Sequence, residues 1–199
     1  MTLRLIGAFV ALLVLVGPAL AETDQERLAR LLYADPDAPV FGNPQGDVTV
    51  IEFFDYRCPY CRRSAPVLDA LLAEDPNVRL VLKEWPILGP QSIEAARAAL
   101  AAHLQGRYEP VHRALMAGDL DADADAIIDF AAERGADPAA MRDAMGSDRV
   151  TGMLIVNNEL ATAIGFSGTP GFVVGESVVP GAVSLETLRE LVAQARAGG

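Results

Sequence analysis

Lysine is almost absent from this 199-residue chain, which holds one, Lys83, and basic side chains are scarce altogether, 16 against 27 acidic. The net charge of −11 is broken by no basic run, which excludes a nucleic-acid binder, because phosphate recognition needs clustered positive charge. Cysteine is nearly as rare. Two residues, Cys58 and Cys61, cannot build a disulfide scaffold, and a zinc site would need ligands gathered from elsewhere. The two histidines, His103 and His112, lie nine residues apart and read as ordinary helix residues. Apolar residues are not lacking: 51% hydrophobic with 22% charged content excludes a disordered chain. No internal repeat is present, and the length fits one domain or one domain carrying an inserted subdomain.

Part of the hydrophobic excess sits at the start. Arg4 is followed by an apolar run from Leu5 to Val16, the break Gly17-Pro18, and the small residues of Ala19-Leu20-Ala21. This is the pattern of a secretory signal peptide over residues 1–21, cleaved after Ala21. An uncleaved anchor is the alternative, for which Leu5 to Leu20 is short. Loss of Arg4 would take the net charge from −11 to −12. Export would place the cysteines where disulfides form and persist.

Residues 22–36 read as a short N-terminal helix ended by Asp35-Pro36, with a short strand at Val40-Phe41. Val48 to Asp55 is the clearest strand, Cys58 to Ala73 a helix with Pro59 in its first turn, and Val78 to Lys83 a second strand. A strand, helix and strand in that compass make a βαβ unit with a parallel pair. Residues 92–165 carry helical patterns separated by Gly, Pro and Asp breaks. The Ala-rich stretch Ile93 to Leu104 has Glu94, Arg97 and His103 to make it an amphipathic core helix rather than a membrane-active one. Asp119, Asp121, Asp123 and Asp125 alternate as in a calcium loop, but Ala124 and Phe130 stand where such a loop needs Gly and Glu. They read as carboxylates at a helix N-terminus. Phe172 to Val179 forms a hairpin, and Ser184 caps a last helix to Ala197.

The chemistry concentrates in Cys58-Pro59-Tyr60-Cys61, where a strand gives way to a helix. A helix start carries unpaired N–H groups and partial positive charge, so a Cys58 thiolate is favoured there and Cys58 is the expected nucleophile. Cys61, one turn on, can reach the Cys58 sulfur. Arg57, Arg62 and Arg63 add local positive charge. A structural disulfide or half a metal site is the alternative. Glu52 alternates with Val50 and Phe54 on an apolar face, where desolvation should raise its pKa; an exposed edge carboxylate is the other reading. Lys83 ends the next strand, either paired with Glu52 or solvated.

Ile51-Glu52-Phe53-Phe54-Asp55-Tyr56-Arg57-Cys58-Pro59-Tyr60-Cys61 resembles the active-site segment of thioredoxin-fold oxidoreductases. With its helical block and leader the chain looks like the DsbA-like branch of exported thiol–disulfide oxidoreductases. Asp37-Ala38-Pro39-Val40-Phe41-Gly42-Asn43-Pro44 is similar to the Com1 and ScsC subgroup. The resemblance covers residues 37–199 and implies an α/β thioredoxin-like fold with an inserted α-helical subdomain. Residues 37–91 and 149–199 would form its two parts and residues 92–148 the insertion.

Several site roles follow from the resemblance. Pro170 of Gly168-Thr169-Pro170-Gly171 would be cis and face the cysteines, with Thr169 offering backbone pairing to a substrate strand. From sequence alone Pro170 could equally be a trans turn. Pro59 and Tyr60 would complete the substrate rim, and Glu52 would be the buried acid that moves the proton of Cys61. Tyrosine at position 60, in place of the histidine of some strongly oxidising relatives, implies a less extreme oxidant. No cofactor or metal is implied. The expected partners are thiol-containing substrate proteins and a membrane redox partner, either a DsbB-like oxidase or a DsbD-like reductase. The short segment before residue 37 favours a monomeric oxidase, and the cleaved signal peptide implies a periplasmic location. A disulfide isomerase or reductase is the nearest alternative, and a metal-binding or chaperone-like module the more distant one.

Overall fold

The computed structural model describes residues 22–121 and 123–198; the signal-peptide reading of residues 1–21 lies outside them. The strand-forming runs become β1 (Val40–Gly42), β2 (Val48–Phe54), β3 (Val78–Glu84), β4 (Gly171–Val174) and β5 (Ser177–Pro180). The helices are α1 (Asp24–Tyr33), α2 (Pro59–Glu74), α3 (Pro90–His103), α4 (Tyr108–Ala117), α5 (Ala124–Ala132), α6 (Pro138–Met145), α7 (Asp148–Ile164) and α8 (Leu185–Gly198). The five strands form one sheet in the order β1-β3-β2-β4-β5. β2 and β3 are parallel, as a helical crossover through α2 requires, and β1, β4 and β5 pair antiparallel.

Period-two alternation divides β2 between two cores. Val50 and Phe54 join Leu80, Leu82, Phe172 and Val174 against α2, α4 and α8. Ile51 and Phe53 join Val81 and Val173 on the other face, where Leu28, Leu31 and Leu32 of α1 and Leu160 of α7 pack. Both faces are covered, so β2 is buried along almost its whole length.

Helices α3 to α7 lie between β3 and β4 in the chain. α3 packs against α4, α5, α6 and α7. Its alanines allow this: Ala95, Ala96, Ala98, Ala99, Ala101 and Ala102 are all buried, more completely than a one-faced amphipathic helix would be. No helix of the described residues is long and apolar enough to cross a membrane. The Asp-rich segment is a helix start, with the Asp123 carboxylate accepting from Ala126 N at 3.1 Å. α3 begins earlier than Ile93, where the apolar periodicity starts, with Pro90 in its first turn, where the missing N–H costs nothing.

Candidate active site

β2 ends at Phe54 and hands the chain to a loop held by Asp55. That buried carboxylate accepts from Arg57 N (2.8 Å), Ile87 N (2.8 Å), Leu88 N (3.0 Å) and Ser92 Oγ (2.8 Å), so it ties the β2–α2 loop to the β3–α3 loop. Cys58 N donates to Asp55 O at 3.0 Å. Cys58 is thereby the N-cap of α2, Pro59 opens the helix, and Cys61 lies in the first turn. Both cysteines are free thiols, Cys58 only 4% exposed and Cys61 not at all.

Across from them the Thr169–Pro170 peptide is cis, as the resemblance implied. Cys58 Sγ donates to Thr169 O at 3.3 Å. Gly171 follows because Phe166 packs against it: a Cβ there would stand 2.9 Å from the ring. Elements distant in sequence thus meet at one sulfur.

The two thiols are driven apart electrostatically. Burial pushes Cys58 up, but the Thr169 side chain, the Cys61 N–H and thiol, and the Tyr60 N–H outweigh it and hold Cys58 below the ordinary thiol value. Burial pushes Cys61 far up, and the charge of Glu52 pushes it further. Glu52, 1% exposed, is raised by burial and then by Cys58 to about 8. Its Oε1 has no hydrogen-bond partner among the described residues. A nucleophilic thiol, a reluctant thiol and a neutral acid are therefore held together, the set that thiol–disulfide exchange requires.

Residues 49–193 match the model of the DSBA-like thioredoxin domain. The chain belongs to the DsbA-like thioredoxin family. It is 48% identical to a thioredoxin-like oxidoreductase from Silicibacter pomeroyi, with a TM-score of 0.81 over 85% of this chain and 98% of that one. The catalytic domain of Proteus mirabilis ScsC matches at 28% identity and a TM-score of 0.75, over 86% of this chain and 96% of that one. This agrees with the subgroup to which Asp37–Pro44 pointed. A Na(+)/H(+) antiporter NhaA 3 of Salinispora tropica is 31% identical over 164 residues, 81% of this chain. The DsbA-like chain spans only 25% of that antiporter's length.

Within this DsbA-like site two expectations need correction. Lys83 does not pair with Glu52. In the parallel register Glu52 faces Leu82 and Phe53 faces Lys83, so the lysine points to the opposite side of the sheet. There Lys83 Nζ binds Asp35 Oδ2 at 2.6 Å and Leu31 O at 3.0 Å, fastening α1 to the sheet. The arginines also act otherwise than expected. Arg62 Nε donates to Tyr56 O at 2.9 Å, and the Arg63 guanidinium lies 4.3 Å over the Tyr60 ring. Hydrogen bonds at the sulfur, rather than these arginines, lower Cys58. Tyr60 itself is 55% exposed.

Sequence reasoning passed over three groups. Asp55 carried the alternation signal of a strand end and nothing more. Glu84 shares the Glu52 face, two positions along the neighbouring strand, and ending the strand at Lys83 hid it. His112 is no ordinary helix residue: it is buried among Phe41, Phe54, Tyr56 and Tyr108. Its spacing of four from Tyr108 was the available signal.

Proposed function

We propose that this chain is an exported thiol–disulfide oxidoreductase that introduces or exchanges disulfides in substrate proteins through Cys58 and Cys61. The observation that carries the reading is the opposed perturbation of the two thiols at one helix start, facing the Thr169–Pro170 peptide. In the oxidised enzyme a substrate thiolate attacks Cys58 Sγ, the Cys58–Cys61 bond breaks, and Cys61 leaves as a thiolate. Glu52, a neutral acid up to about pH 8, gives Cys61 its proton. A second substrate thiolate then attacks the substrate sulfur of the mixed disulfide. Cys58 departs as the stabilised thiolate, the substrate has lost two electrons, and the enzyme has gained them.

Thr169 and Pro170, with Pro59 and Tyr60, form the rim on which a substrate strand would lie, Thr169 through its backbone. Thr169 O already accepts from Cys58, so a mixed disulfide would form beside it. Reoxidation falls to a membrane redox partner, a DsbB-like oxidase, with a DsbD-like reductase serving the isomerase alternative. The Arg4-to-Ala21 leader supports a periplasmic location. Docking of α1 on its own sheet through Lys83–Asp35 and Tyr33 Oη–Gly175 O (2.7 Å) supports a monomer. Refolding of reduced and of scrambled ribonuclease tests the direction, using wild type and Cys58→Ala. Recovery of the reduced substrate, lost in Cys58→Ala, is expected. Strong recovery of the scrambled substrate instead would assign an isomerase.

A further inference from the structure

Glu84 is a second buried acid on the sheet face that carries Glu52. It is 1% exposed, and its Oε2, like Glu52 Oε1, has no hydrogen-bond partner among the described residues. A buried ionised carboxylate with an orphan oxygen is far costlier than a neutral acid with an orphan carbonyl. Its other oxygen meets Tyr108 Oη in a short hydrogen bond. Tyr108 Oη lies 3.4 Å from Tyr56 Oη, which lies 3.1 Å from His112 Nδ1. The chain of contacts therefore runs from β3, through α4 of the insertion, to the loop two residues before Cys58. Tyr56 O in turn receives Arg62, the residue after Cys61. Both flanks of the cysteine motif are held by one polar network whose far end is Glu84.

We propose that Glu84 is a second proton-holding group of the redox centre, a positioning residue that acts on Cys58 through Tyr108 and Tyr56. This rests on the thiol-exchange reading of Cys58 and Cys61. Tyr56 Oη donates to Tyr108 Oη, and Tyr108 Oη donates to Glu84, so the carboxyl is the acceptor at the end of the chain. A proton on Glu84 weakens that acceptor, and the change is passed through Tyr108 to Tyr56, two residues before Cys58. The groups facing Glu84 give its charge little compensation. Tyr56, Tyr108 and His112 are neutral, His103 meets the Tyr108 ring edge-on, Glu52 is a like acid, and Lys83 lies on the opposite sheet face, bonded to Asp35. Burial accordingly raises Glu84 to about 7 and lowers His112 to about 3.

Reduction adds two electrons, breaks the Cys58–Cys61 bond, puts a proton on Cys61 and leaves a negative thiolate on Cys58. That new charge favours the protonated form of Glu84, so reduction carries extra proton uptake where Glu84 titrates. The experiment is the midpoint potential against glutathione from pH 6 to 9, with redox-difference infrared spectra of the carboxylic-acid carbonyl. Wild type is expected to show a segment of steeper fall near neutrality and an acid band that responds to reduction. Glu84→Gln removes the segment near pH 7 and its share of the acid band and leaves the contribution of Glu52 near pH 8, whereas Glu52→Gln keeps the segment near pH 7. Tyr108→Phe keeps the carboxyl but loses the bond that lowers it, and so moves the segment to higher pH. Unchanged slope and band in Glu84→Gln overturn the proposal. If that variant does not fold, an unmoved segment in Tyr108→Phe overturns it equally. Failure of wild type to exchange with glutathione would instead defeat the oxidoreductase reading itself.

Discussion

Replacing Glu52 by glutamine should stabilise the reduced protein at neutral pH relative to its effect in acid. Glu52 is raised from 4.5 to about 8 because β2 buries it without a partner for Oε1. The folded state therefore binds a proton that the unfolded chain has already released between these values. Stability due to this group is fully present below pH 4.5 and is lost as the pH rises towards 8. From pH 5 to pH 7.5 the loss amounts to about 3 kcal/mol, at about 1.4 kcal/mol for each tenfold change in proton concentration. Glutamine lacks this titration. Its buried amide brings a cost of about 1–3 kcal/mol that does not vary with pH. Glu84 titrates in both proteins and cancels in the comparison. Urea unfolding of both, kept reduced, is the assay. At an m-value of about 2 kcal/mol/M, the midpoint of Glu52→Gln should gain about 1.5 M on wild type between the two pH values. Midpoints that shift in parallel would refute the burial argument. The same substitution should slow the protonation of Cys61, so stability gained would be function lost.

Two further outcomes follow from the geometry. Iodoacetamide should label Cys58 in Cys61→Ser with half-maximal rate below the about 8.5 of a free thiol, whereas Cys61 in Cys58→Ser should still be labelling slowly at pH 9; equal profiles would contradict the opposed shifts. Lys83→Met should cost about 3 kcal/mol and Asp35→Ala more, in the upper part of the 3–5 kcal/mol range for a broken buried pair. The lysine side chain is 1% exposed and cannot reach water, whereas Asp35 at 11% retains some. Thermal or urea unfolding checks the order, and a larger loss in Lys83→Met would contradict it.

Most of this architecture was legible because its signals are local. The β-branched and aromatic run of β2, the apolar spacing of α2 and the cysteine pair at their junction each follow from neighbours in sequence. What escaped depends on register. Whether Lys83 meets Glu52 is decided by which residue of β3 stands opposite which residue of β2, and a parallel pairing offset by one position sends the lysine to the other core. The same register places Glu84 on the Glu52 face, one residue beyond the end given to the strand by its sequence. His112 required knowing that α4 of the insertion lies over the end of the sheet. Local arginine count misled for a related reason: Arg62 and Arg63 have partners, Tyr56 O and the Tyr60 ring, that no charge tally shows.

Trapping the covalent intermediate tests the central claim most directly. Cys61→Ala, oxidised as a mixed disulfide with a small thiol and presented with a reduced substrate protein, should accumulate an enzyme–substrate adduct through Cys58 that dithiothreitol releases. Cys58→Ala should form none. An adduct formed through Cys61 in Cys58→Ala, or the absence of any adduct at Cys58, would contradict the assignment of Cys58 as the nucleophile.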